Sequence, residues 1–179
     1  MEREEIPICE IRETTMADIV AFRHMQTDAW LATYPSLENG VSEEWVKAQV
    51  DSRLSEEGLE RSKNFIAQVL ADPSQLHRVA VQYGKVIGFV HASTLEDGTK
   101  EIKAIYVSPS VFRKGVGMLL MKAVDQWIDG VEARVTVATY NKRATRFYEK
   151  NGFKTVPGSE STYKETIPVI DMIRKAEVK

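Results

Sequence analysis

The feature that most constrains this chain is a strand-like run that breaks into a glycine-bearing turn and then into a helix. Glu101 to Val107 reads as a strand, Ser108-Pro109 ends it, and Arg113-Lys114-Gly115-Val116-Gly117 leads into the helix. There Val116, Leu119, Leu120, Ala123, Val124, Trp127 and Ile128 recur at i, i+3, i+4, i+7 spacing, which predicts one apolar face. A short strand follows, with Val135 and Val137 on one side and Thr136 on the other. If the two strands pair in parallel, their connection is right-handed. A helix start of this kind offers unpaired N–H groups and the positive end of the helix dipole, which together favour an anion. Gly115 and Gly117 let the backbone approach a phosphate, and Arg113 and Lys114 add positive charge. Strand-to-helix turns also use glycine for geometry alone, so the turn by itself leaves both readings open.

Two phosphate-binding classes are disfavoured. The dinucleotide fingerprint needs a third glycine where Leu120 stands. A P-loop needs Lys-Ser or Lys-Thr after its last glycine, and here Met118-Leu119 follows Gly117.

The rest of the chain reads around this unit. Ile8 to Glu13 is expected to be a first strand. A helix is expected from Thr15, its N-cap with Asp18 at capping-box spacing, to about Tyr34. Its stripe is Ile19, Phe22, Met25, Ala29 and Ala32, and Pro35 closes it. Ser42 caps a second helix carrying Trp45, Val46, Gln49 and Val50, and a third covers Gly58 to Leu70. Arg78 to Tyr83 and Val86 to His91 form a hairpin about Gly84-Lys85. Asn141 begins a last helix that ends at Asn151-Gly152. Thr162 to Ile173 reads as one long strand interrupted by Pro168. No repeat or low-complexity tract divides the chain, so residues 1–179 are expected to be one domain.

Composition narrows the function classes. The 179 residues carry a net charge of -2, with 43% hydrophobic and 28% charged side chains. That balance points to no nucleic-acid or membrane partner through bulk electrostatics. The charged start and the lack of a long apolar run predict a cytoplasmic protein. The single cysteine, Cys9, forms no internal disulfide and reads as a structural thiol in the first strand. His24, His77 and His91 lack metal-ligand spacing, so no metal is expected.

Two segments resemble the GNAT N-acetyltransferase family. Glu101-Ile102-Lys103-Ala104-Ile105-Tyr106-Val107-Ser108-Pro109, running into Arg113-Lys114-Gly115-Val116-Gly117, is similar to that family's fourth strand, pyrophosphate loop and following helix. Asn141-Lys142-Arg143-Ala144-Thr145-Arg146-Phe147-Tyr148-Glu149-Lys150-Asn151-Gly152-Phe153 is similar to its Asn-x-x-Ala-x-x-Phe-Tyr-x-x-x-Gly-Phe signature. One departure is Phe112, where many members place Arg or Gln. Trp30 and Thr33-Tyr34-Pro35 resemble a bacterial branch that includes polyamine acetyltransferases.

The resemblance implies an α/β (α+β) GNAT fold. Its mixed, mostly antiparallel sheet has six to seven strands and a central parallel pair, flanked by helices. It implies acetyl-CoA as co-substrate and a small-molecule or peptide amine as acceptor. Ile105, Tyr106, Val107, Arg113, Lys114, Gly115, Val116, Gly117, Met118 and Asn141 would then bind the cofactor. The Ile105 N–H would hold the charge that develops on the acetyl oxygen, while Tyr106 and Val107 would pair with the pantetheine arm. An amine is mostly protonated at neutral pH and must lose a proton before attack, a role the resemblance gives to Glu101 or to a water chain. Tyr148 would be the general acid facing the sulfur. Core packing is the competing reading for Tyr148, and a solvated strand edge for Glu101. Trp30, Tyr34 and Trp45 are candidates for an aromatic wall around a cationic amine. A polyamine acceptor and a non-catalytic CoA sensor are the alternatives. Oligomeric state stays open between monomer and homodimer.

Overall fold

The computed structural model describes residues 9–177. The charged start and Ile8 lie outside them. β1 (Glu10–Glu13) is followed by a 3-10 turn (Met16–Asp18), then α1 (Ile19–Thr33), α2 (Glu43–Leu54) and α3 (Glu56–Ala71). β2 (Gln75–Gln82), β3 (Lys85–Thr94) and β4 (Lys100–Val107) come next. α4 (Val116–Ile128), β5 (Ala133–Ala138) and α5 (Lys142–Lys150) follow. Two short strands, β6 (Lys154–Thr155) and β7 (Ser161–Tyr163), precede β8 (Ile167–Arg174). One sheet runs β1-β2-β3-β4-β5-β8-β6, with β7 also on β8. Every pairing is antiparallel except β4 with β5.

Local chemistry accounts for most boundaries. The Ser42 hydroxyl accepts from the Trp45 N–H, and the Ser55 hydroxyl accepts from the Gly58 N–H. Each satisfies one orphan donor of its helix. Asp18 accepts from the Thr15 N–H at 2.8 Å, and Arg12 clasps both its oxygens at 2.8 Å. The α1 N-terminus is thereby pinned to β1. Arg12, together with Thr15, holds the Asp18 carboxyl down at about 2 against the cost of burial.

Three sequence expectations shift. The hairpin turn is Tyr83-Gly84, not Gly84-Lys85, with both residues at positive φ and Gln82 opposite Lys85. The final strand breaks at Lys164-Glu165, also at positive φ, into the β7–β8 hairpin, and Pro168 lies within β8 opposite Thr162. Composition hides that turn, because neither residue is a usual left-handed former. Cys9 precedes β1 instead of lying in it.

The sheet divides the core into two faces, as the alternation of β3 requires. On one face Leu120, Met121, Val124 and Ile128 of α4 pack on Val90, Ile102, Val135 and Val137. Leu119, expected on that face, points outward and Met121 takes its place. On the other face Phe22 and Met25 of α1 and Ile66 of α3 pack on Val79 and Phe89. Ala32 of the expected α1 stripe is exposed, whereas Trp30 joins a third cluster with Val46 and Val50 of α2 and Ile167 and Val169 of β8.

Candidate active site

β4 and β5 pair only from Lys100 opposite Ala133 to Ile102 opposite Val135. A register shift then places Ala104 opposite His91 and Ile102 opposite Ala92 on β3, leaving Lys103 as the extra residue of a bulge. Beyond it the two strands part. Between them opens a cleft of about 860 Å³, lined by residues 103–107 of β4 and 135–138 of β5.

The direction of the β4 backbone follows from one hydrogen bond. The Ser108 N–H donates to the Ile87 carbonyl at 2.8 Å. Antiparallel alternation therefore turns the N–H groups of Val107 and Ile105 away from β3, into the cleft. The backbone of Tyr106 faces β3, and its carbonyl closes on Gly88. Tyr106 is also among the lining residues.

The far wall is the start of α4. Gly115 is its N-cap at φ 85, and Arg113 is left-handed at φ 65. The first N–H groups of a helix have no partner within it, and Gly115, Val116, Gly117 and Met118 line the cleft. Arg113 lines it too, whereas Lys114 is not among the lining residues.

α5 forms the opposite wall. Asn141 caps it, its Oδ1 accepting from the Ala144 N–H at 3.1 Å, and also lines the cleft. Tyr148 lines the cleft and is otherwise buried, packed with the core cluster beneath α4. Burial pushes its phenol well above the ordinary tyrosine range, which keeps it protonated.

Three of the lining cations come from α5. Arg143, Arg146 and Lys150 rise on one face of α5. Their spacing within Asn141–Phe153 was the available signal. The Arg143 guanidinium lies 3.6 Å from the centre of the Phe112 ring. A positive charge therefore sits on the departure at Phe112, supplied from another helix.

Glu101 is not among the lining residues. It pairs with Lys103, which does line the cleft, and lies 3.8 Å from Arg134. At the inner end stand Ala29, Thr33 and Tyr34 of the α1 region. The Tyr34 and Tyr106 hydroxyls bond at 2.9 Å, and burial drives the Tyr106 phenol up to about 12. Trp45 lies at the edge of the third cluster.

The remaining candidates lie elsewhere. His77 bonds Thr14 at 2.7 Å and His91 bonds Gln75 at 3.0 Å. Burial lowers their pKa values to about 3 and about 4. His24 is exposed. Burial raises the Cys9 thiol, which suits a structural residue. Among the described residues no group of His, Cys, Asp or Glu could hold a metal, and no helix is long and apolar enough to cross a membrane.

Comparison with known proteins agrees with this geometry. Residues 23–153 match the model of the Acetyltransferase (GNAT) family. An uncharacterized N-acetyltransferase of Mycobacterium bovis is 31% identical over 117 residues, covering 64% of this chain and 70% of that one. The PaiA N-acetyltransferase of Thermoplasma acidophilum, solved in complex with coenzyme A, superposes with a TM-score of 0.76. It is 23% identical over 94% of this chain and 99% of that chain. A ribosomal-protein-alanine N-acetyltransferase of Brucella melitensis gives 0.69 at 17% identity, covering 93% and 99%. A parallel strand pair that parts above a glycine-capped helix, within a match spanning most of the chain, places this protein in the GNAT family of acetyltransferases.

Proposed function

We propose that this chain transfers an acetyl group from acetyl-CoA to a primary amine by direct attack in a ternary complex. The parting of β4 from β5 supports this most strongly. It leaves inward backbone donors along a cleft with an anion-favouring helix start on one wall and a protonated tyrosine on the other.

Acetyl-CoA supplies an activated thioester when bound. The α4 N-terminus, with Arg113, Arg143 and Arg146, suits its phosphates. The inward N–H groups of Ile105 and Val107 can bond an extended amide-bearing arm as a neighbouring strand would. The Ile105 N–H also suits an oxygen on which charge develops, a contribution of about 3 kcal/mol. Tyr148 presents its hydroxyl to the departing sulfur. A C–N bond forms and the C–S bond breaks; the phenol gives its proton to the departing thiolate and recovers one from the attacking nitrogen, so that CoA leaves as the free thiol. The ammonium proton leaves through water to Glu101, which acts at one remove because Lys103 stands between it and the cleft. Cys9 lies outside the cleft lining, so direct attack is favoured over a covalent route.

The test is release of free thiol from acetyl-CoA with a panel of primary amines, alongside a CoA titration. Amine-dependent release is expected. Tight CoA binding with no release for any amine would make the chain a sensor instead.

A further inference from the structure

Arg53, in the last turn of α2, lays its guanidinium over the Trp30 ring, 4.1 Å from the centroid. Its NH1 is buried without a hydrogen-bond partner, and so is the Trp30 indole N–H. These are the two buried side-chain nitrogens or oxygens without a partner among the described residues. The two residues are stacked on each other, so both orphaned groups lie in the same cluster. The indole N–H influences the neighbouring Tyr106 hydroxyl without completing a hydrogen bond to it.

The surroundings are positive. Burial, and then the nearby Arg53 charge, lower Arg23 to about 10. Arg23 donates to Ser62 and Gln26, which are neutral. Lys164, on the β7–β8 turn, donates to Gln49 at 2.7 Å and also feels Arg53. Tyr34, Tyr106 and Tyr163 complete the walls around Trp30. Among the described residues no ion pair joins Arg23, Arg53 or Lys164 to a carboxylate. A desolvated guanidinium without a counter-ion is costly, and its planar fork matches a carboxylate. Tyr34 and Tyr106 line the inner end of the cleft on one side and bracket Trp30 on the other. Arg53 is therefore one aromatic layer from where an acceptor amine would wait.

We infer that the acceptor is a primary amine carrying a carboxylate, and that Arg53, on the Trp30 ring, is the docking site for that carboxylate. This rests on the acetyltransferase reading of the cleft. Arg23 and Lys164 add long-range attraction for the anion. The same charges repel a di- or polycation, and the Trp30 face that would have received one is already covered by Arg53.

The experiment compares amines that differ only in charge: ω-amino acids from β-alanine upward, their amides, the matching alkylamines and the matching diamines. Free-thiol release gives kcat/KM for each. Quenching of tryptophan fluorescence in the CoA complex gives acid binding independently of turnover. Acids are expected to exceed their amides by about ten- to a hundredfold, the range of a charge-assisted contact. Arg53→Met is expected to collapse that ratio towards unity, with a CoA-induced thermal shift reporting that the variant is folded. Should Arg53→Met not fold, Arg53→Lys carries the test: it keeps the charge, loses the fork, and is expected to lose part of the ratio. Acids and amides turned over alike, a preference for diamines, or an Arg53 variant with an unchanged ratio would overturn the inference and leave the acetyltransferase reading standing. Acid binding that depends on Arg53 without turnover of any amine would keep the carboxylate site but overturn both the acetyltransferase reading and the acid as its acceptor.

Discussion

At the α4 end of the cleft the chain presents backbone. The donors are helix-start N–H groups and the inward edge of β4, and the cations Arg113, Arg143, Arg146 and Lys150 stand around an open wall. Behind the cleft's inner end, beyond Tyr34 and Tyr106, the chain presents side chains: rings stacked on rings, with Arg53 and Arg23 beside them and, among the described residues, no ion pair from either to a carboxylate. A backbone site tolerates change in most neighbouring side chains but fails when anything blocks the main chain. A side-chain site follows the identity of each residue. The first arrangement suits a ligand that is always the same, and the second suits one that a protein selects.

The sharpest way to break this contrast is to obstruct the backbone end. The Cβ direction of Gly117 meets the Phe147 ring at 3.4 Å, so a methyl fits there while a longer acidic side chain must enter the cleft. Gly117→Glu is expected to take CoA binding below detection by calorimetry while unfolding stays cooperative. Retained affinity would remove the loop from the site. Next in size, Tyr148→Phe is expected to lower kcat about a hundredfold, with the CoA titration little moved. An unchanged kcat would return Tyr148 to the core alone. Smaller again, Arg143→Ala is expected to weaken CoA about tenfold by removing the charge held on Phe112, as a titration of CoA would show.

The last prediction concerns the core behind the side-chain end, and it is read by pH. His77 and His91 lie on β2 and β3, against Phe22 of α1 and Phe65 of α3. Their folded values of about 3 and about 4 lie below the unfolded value near 6.5. The unfolded chain therefore binds more protons between about pH 6.5 and 4, and stability should fall as the pH is lowered through that window. Asp18, held near 2, has the sign of a depressed carboxyl. It contributes above about pH 4 and loses that contribution as the pH falls towards 2. Asp18→Asn should cost about 1 kcal/mol at neutral pH, as expected for a partly exposed pair, with the difference from the parent fading in acid. Urea unfolding across pH checks both.

What could be read in advance follows the same division. Ser42 and Asn141 announced their helices because a cap is a contact between residues three apart. The β2–β3 hairpin followed from alternation and a glycine turn, whereas the parallel pair came with the family resemblance. The β7–β8 hairpin stayed hidden because Lys164 and Glu165 take left-handed backbone that their composition does not favour. Leu119 was assigned to the buried face of α4 because periodicity fixes a stripe only to within a residue, and Met121 won the place by packing. The bulge at Lys103 stayed hidden because a two-residue periodicity cannot register an inserted residue.

The sequence by itself determined the glycine-bearing turn, the capped signature helix and the family they belong to. Each is a contiguous run whose backbone is dictated by glycines, caps and near neighbours. Only the tertiary structure decided that β4 and β5 part beyond Ile102, that Arg143 covers Phe112, and that Arg53 lies on Trp30. Those meetings join residues far apart in the chain. Which long side chain reaches which ring depends on how whole helices settle on the sheet, and local propensity carries no record of that.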